Sequence, residues 1–228
     1  MTATAQSSSR RFDTVDRLLL GVSLGCGIAY FLTRGLPVFP GSVVIKGLSI
    51  APLALIAFRQ LIGSERWLLA AALLLSALGD VFLGLTGEQW FAYGLGSFLM
   101  AHLFYIPLFV RQWPRPLAAS PARRVVAALL MLFAAAMFAG LLPHLGEMKL
   151  PVAAYMCALA GMSLTATLAD FRAWWVVIGA ALFLLSDSLI AIGKFLSPIA
   201  YSDYVIWATY YTAQVFIALG FIGERRRA

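Results

Sequence analysis

Eight apolar runs, each about as long as the 20 residues needed to cross a bilayer, follow one another along this chain with only short polar breaks between them. In lipid, every backbone N–H and C=O must find its partner within the chain, so a run of this kind folds as a helix. The runs cover roughly 16–33, 42–62, 66–85, 90–110, 123–142, 150–168, 174–193 and 204–222. Arg34 to Pro37, Gly63 to Arg66, Thr86 to Glu88 and Trp113 to Pro116 punctuate them with turn-forming residues. Such short connections predict that consecutive helices are antiparallel neighbours. The composition agrees: 62% of residues are hydrophobic and 12% charged, against about half and a quarter in soluble domains. The expected fold is an all-α membrane protein with eight transmembrane helices in one domain over 13–228. A polar, Ser-rich tail over 1–12 is expected to be disordered. The expected location is a membrane crossed many times, the cell (inner) membrane if the source is bacterial.

The formal charge is +7, but the basic residues lie at the ends of the runs and form no solvated stripe, so no nucleic-acid partner is expected. Their distribution instead orients the chain. Thirteen of the 17 Lys and Arg fall on the side shared by the two termini, whereas Arg34, Lys46, Lys149 and Lys194 fall on the other. The positive-inside rule then places both termini in the cytoplasm. Cys26 and Cys157 lie within apolar runs without metal or redox spacing and read as packing residues. The first run has no cleavage site after it and reads as an uncleaved span.

Two carboxylates interrupt the apolar runs: Asp80 in the third and Asp187 in the seventh. An acid in the hydrocarbon region is costly and marks a functional site. Both lie on outward-running helices, roughly 8–9 Å inside the outer boundary at the rise of an α-helix. The halves of the chain also echo each other. Gly79-Asp80 matches Ser186-Asp187, Ala101-His102 matches Ala213-Gln214, and Lys46 matches Lys149. Four helices per half predict two parallel repeats related by an axis along the membrane normal. That arrangement turns Asp80, His102, Asp187 and Gln214 toward one central cavity, with Lys46 and Lys149 near its outer mouth.

Five stretches carry a family likeness: SALGDVFLGL, GLGSFLMAHLFYI, YMCALAGMSLTA, GAALFLLSDSLIAIGKF and YYTAQVFIALG. Together they resemble the motifs of the YhhN family of membrane lysoplasmalogenases, from about the second helix to the eighth. One departure is Gly47 after Lys46, where the family often has proline. The resemblance implies hydrolysis of the vinyl ether of lysoplasmalogens to a fatty aldehyde and glycerophosphoethanolamine or glycerophosphocholine. It places the family's motif aspartates on Asp80 and Asp187.

A vinyl ether resists nucleophiles but yields to acid. Protonation of its β-carbon gives an oxocarbenium ion, water adds, and the hemiacetal collapses. Two aspartates can supply the acid, the counter-charge and the water's anchor, as paired carboxylates do in glycoside hydrolysis. Burial and like charge both oppose double ionisation, so the pair is expected to share one proton. The sequence leaves open which aspartate is the acid. His102 either orders water or an aspartate, or bonds helices together. Tyr155, Tyr210, Tyr211 and Gln214 either orient substrate or pack. Lys46 either draws in a phosphate or snorkels to the interface. No ligand spacing for a metal appears, so neither metal nor cofactor is expected. The expected partners are a lysophospholipid and the bilayer, with no protein partner. The alternative class is a proton-coupled transporter, which would favour broken helices at the membrane midplane. Helices 3 and 7 have no internal proline.

Overall fold

The computed structural model describes residues 12–34, 36, 39–114 and 119–227. The expected tail over 1–12 lies, Phe12 apart, outside the described residues, as do Gly35, Pro37, Arg115 and Pro116 of the expected breaks. Eight long helices follow: α1 (Thr14–Thr33), α2 (Pro40–Gln60), α3 (Gly63–Gly84), α4 (Glu88–Val110), α5 (Pro121–Leu141), α6 (Lys149–Leu168), α7 (Trp175–Phe195) and α8 (Ser202–Arg227). Each is long and apolar enough to cross a membrane, and the protein is a multi-pass membrane protein. Two short 3₁₀ turns, Leu142–His144 and Gly146–Met148, join α5 to α6.

The helix starts carry the expected chemistry. Asp13 caps α1 and exchanges hydrogen bonds with Asp16 in a capping box. Ser120 accepts the Arg123 N–H ahead of α5, and proline opens both α2 and α5. Gly87 precedes α4 at φ +126°, a conformation that residues with a Cβ rarely adopt. Pro52 and Pro107 lie inside α2 and α4, whereas α3 and α7 are uninterrupted.

Helix pairs α3–α4 and α7–α8 pack closely along their lengths, and glycines allow it. A Cβ on Gly94 would stand 2.6 Å from Leu83 Cδ2, and one on Gly79 would stand 2.7 Å from the Phe98 ring. On α7, a Cβ on Gly179 would meet the Ala213 carbonyl oxygen at 2.9 Å. Small residues at such crossings let backbones approach where lipid offers no hydrophobic drive. Gly96 has nothing within 4 Å and contributes no such approach.

The core is largely apolar but also takes in the polar side chains of the spans, and the surface is apolar. Asp80, His102, Ser163, Thr167 and Gln214 are buried, while Leu18, Leu32, Leu132 and Leu150 are exposed. Helix α5 is peripheral, turning Val125, Leu129 and Leu132 outward. At the end that carries the chain termini, charges are tied together. The fully buried Asp16 accepts Arg59 Nε at 2.9 Å and Gln60 Nε2 at 2.5 Å. Arg225 bonds Glu65 at 2.7 Å, and Glu224 accepts the N–H groups of Arg172 and Ala173. The opposite end is hollow.

Candidate active site

A cavity of about 420 Å³ enters the bundle from the end away from the termini. Both aspartates line it, with Lys46, Tyr210 and Phe98. The acids therefore share a chamber, although they are not equally far from their helix ends. Asp80 precedes the end of α3 by four residues and Asp187 precedes the end of α7 by eight, about 6 and 12 Å of helical rise.

Asp80 is almost wholly buried, at 2% exposure, and is held by two helices besides its own. Lys46 from α2 approaches its Oδ1 at 3.1 Å, and Tyr210 from α8 donates to its Oδ2 at 2.6 Å. Behind Tyr210 runs a chain of donors: Gln214 Nε2 donates to Tyr210 Oη at 3.2 Å, and Tyr105 Oη donates to Gln214 Oε1 at 2.8 Å. Gln214, four residues after Tyr210, reaches it because the two share one face of α8.

Asp187 lies slightly more open, at 10% exposure. Tyr155 from α6 donates a short hydrogen bond to its Oδ2. With Tyr155 committed to the carboxylate, His102 Nε2–H from α4 donates to Tyr155 Oη at 3.2 Å. His102 reaches Asp187 itself only at 4.0 Å. Its Nδ1 is buried without a hydrogen-bond partner among the described residues. No Lys or Arg stands within ion-pair distance of Asp187 among the described residues.

All seven site residues expected from sequence thus fall on two connected networks. Lys46 lines the chamber, against Asp80 and over the Tyr30 ring at 5.9 Å. Lys149, expected at the mouth, is exposed at the start of α6 and is not among the residues lining the cavity. Counted from the helix starts, Tyr155 in α6, and not Lys149, occupies the depth of Lys46 in α2. Tyr211 bonds Ser23 Oγ at 2.9 Å and does not line the cavity. His144 is exposed.

Sequence reasoning missed Tyr105, Arg34 and Lys194. Arg34 lines the mouth and bridges to Asp203 at 2.6 Å. Lys194 lines it seven residues after Asp187, a two-turn helical spacing that puts both on one face. Tyr105 gives no signal of its own, because its partner Gln214 is 109 residues away. Phe98 and Tyr210 line the chamber with their ring centroids 5.7 Å apart, and Phe183 packs against Tyr210 at 5.4 Å without lining it. No group of three or more His, Cys, Asp or Glu that could hold a metal occurs among the described residues.

The chamber offers one charge-compensated carboxylate, one carboxylate bonded only to neutral partners, and room for a ligand between them. That set suits a reaction that needs an acid and a negative charge at once. The chain also resembles known proteins. Residues 41–221 match the YhhN family. A lysoplasmalogenase of Mycobacterium bovis is 39% identical over 196 residues, covering 83% of this chain and 71% of that protein. The lysoplasmalogenase TMEM86B of Mus musculus is 32% identical over 216 residues, covering 92% and 89%. The lysoplasmalogenase TMEM86A of Homo sapiens is 35% identical over 162 residues, covering 67% and 64%. No solved structure matches the chain.

Proposed function

The chain belongs to the YhhN family, and from that premise we propose that it is a lysoplasmalogenase in which Asp187 is the acid and Asp80 the permanent counter-charge. The observation that carries this reading is the unequal pairing of the two carboxylates. Asp80 has Lys46 at 3.1 Å as counter-ion, which favours its ionised form. Asp187 has the Tyr155 hydroxyl, with His102 behind it, and is the member of the pair that carries a proton.

The Asp187 proton moves to the β-carbon of the vinyl ether, whose double-bond electrons form the new C–H bond. The carbon bearing the ether oxygen becomes an oxocarbenium ion. Asp80 steadies that cation across the chamber, whose wall also carries the Phe98 ring. Asp187, now a carboxylate, takes a proton from water as the water oxygen bonds to the cationic carbon. The resulting hemiacetal loses the glycerol oxygen, which leaves with a proton, and the hydroxyl becomes the aldehyde carbonyl. Acid catalysis contributes about 10²–10⁴-fold, and the prearranged charges contribute much of the remainder.

The same reading keeps the two halves as parallel repeats. In support, each aspartate is bonded from the helix before its own and approached from the last helix of the other half: α2 and α8 for Asp80, α6 and, at 4.0 Å, His102 of α4 for Asp187. The transporter alternative finds no broken helix in α3 or α7.

The deciding experiment is aldehyde release by the purified protein from 1-alkenyl lysolipids with ethanolamine or choline head groups. Release is expected from at least one of them. A folded protein that releases none overturns the reading. The proposed cytoplasmic placement of both termini predicts that a cysteine introduced at Ser120, in a variant lacking Cys26 and Cys157, is labelled by an impermeant reagent from the cytoplasmic side alone. Labelling from outside intact cells would reverse the orientation.

A further inference from the structure

A second, smaller hollow adjoins the chamber. It is a crevice of about 40 Å³ between α4, α6 and α7. Leu95, Val152, Met156, Ala191 and Phe195 line it, and it carries almost no polar surface. The chamber and the crevice have five lining residues in common, Leu83, Phe91, Phe98, Asp187 and Ile190. Of these only Asp187 is polar. Helices α4 and α7 face each other here across side chains, with the Phe91 and Phe195 rings edge-on at 6.0 Å. Leu95, Ala191 and Phe195 in its lining are only partly buried.

The chamber has the opposite character. Three cations line it: Arg34, Lys46 and Lys194. Arg34 is bridged to Asp203 and Lys46 to Asp80. Lys194 is exposed, lies 5.2 Å from the centroid of the Phe91 ring, and has no carboxylate partner among the described residues. It is the cation left for an anionic ligand.

A lysolipid has the same division. Its vinyl ether is where an apolar chain meets a phosphate-bearing glycerol. We propose that the lysolipid lies across both hollows, with the first carbons of the alkenyl chain in the crevice and its phosphate on Lys194. The vinyl ether then falls at the polar residue common to both hollows. The crevice holds only the start of the chain, and the rest lies in the bilayer beside α4 and α7. The lengths agree. Asp187 and Lys194 are seven residues apart on α7, about 10 Å of rise. The vinyl β-carbon and the phosphorus are about seven bonds apart, roughly 8 Å when extended. A lysine side chain spans the difference. This binding mode rests on the proposed function and adds to it two specificity-determining positions, Ala191 for the chain and Lys194 for the phosphate.

The test compares ratios within each variant. The substrates are a long-chain and a propenyl 1-alkenyl glycerophosphoethanolamine, and a long-chain 1-alkenylglycerol that lacks phosphate. Ala191→Trp, which overfills the crevice, is expected to lower kcat/KM for the long chain relative to the propenyl compound by about 10-fold. Ala191→Leu gives a smaller shift of the same sign and serves if the tryptophan variant does not fold. Lys194→Ala is expected to lower the preference for the phosphate-bearing over the phosphate-free long-chain substrate by about 10-fold, through KM. Lys194→Arg restores most of that preference. Unchanged ratios in folded variants, with a wild-type protein that releases aldehyde, overturn the binding mode and leave the proposed function standing. A wild-type protein that releases aldehyde from none of the three overturns both.

Discussion

The two aspartates occupy related positions and are held by unlike chemistry. Asp80 faces a lysine and a tyrosine backed by an amide. Asp187 faces a tyrosine backed by an imidazole. Each is bonded from the preceding helix; α8 of the far half bonds Asp80 directly, whereas His102 of α4 bonds Tyr155 and stands 4.0 Å from Asp187. The difference lies in the side chain offered at the second turn of that preceding helix: Lys46 in α2 against Tyr155 in α6. A cation fixes a negative charge beside it, whereas a neutral donor tolerates either protonation state. The two carboxylates thus have unlike neighbours, which suits the separate tasks proposed for them.

The largest test of this contrast is removal of the acids. Asp187→Asn keeps the shape and removes the proton, and is expected to lower kcat by at least about 10²-fold. Asp80→Asn is expected to fall in the same range. The double variant should be little worse than the worse single one, because residues acting as a unit are not additive. Near-normal aldehyde release from either folded single variant would make the acids structural.

A smaller effect is expected at Lys46. If it serves Asp80 and not the substrate's phosphate, Lys46→Met lowers kcat by roughly 10-fold or more with little change in KM, the loss expected on unpairing a buried charge. Lys46→Arg recovers part of it. A loss confined to KM would return Lys46 to phosphate binding. The tyrosines should differ less, and in a set order. Tyr155→Phe removes the hydroxyl that bonds Asp187 and is expected to cost about 10-fold in kcat. Tyr210→Phe is expected to cost less, since Asp80 keeps Lys46. Equal losses would mean that the two half-sites are not divided as proposed. No change is expected with EDTA, because a lysine supplies the positive charge here and no cluster of metal-ligating side chains occurs among the described residues. Loss with EDTA, restored by a divalent ion, would end the two-aspartate mechanism.

The spans were legible because lipid leaves the backbone no alternative to helix over an apolar run. Their ends were less so. Helix α8 continues to Arg227, five residues past the apolar run that marks it, because Glu224 and Arg225 hold its last turn against the α6–α7 loop and α3. Hydropathy reports where lipid ends, and a helix can go on in water. Asp80 and Asp187 stood out because a carboxylate is out of place among leucines. Their partners did not. Nothing local to Lys46 marks it for an acid 34 residues away, and its nearest look-alike, Lys149, is outside the cavity. The Asp16 network at the other end was equally silent, since Arg59 and Gln60 come from a different helix.

Gly79 immediately precedes Asp80 and would crowd the Phe98 ring if it bore a Cβ, and Gly179 lies two turns before Asp187, where a Cβ would meet the α8 backbone. Water meets a newborn cation by turning its own dipoles, and much of the work of making ions in solution is spent on that turning. In the proposed reaction, carboxylates fixed on unbroken helices have already done it. Tyr210 holds Asp80 and Tyr155 holds Asp187 before a substrate arrives. On that reading the reorganisation belongs to the folding of the bundle and is not repeated at each turnover.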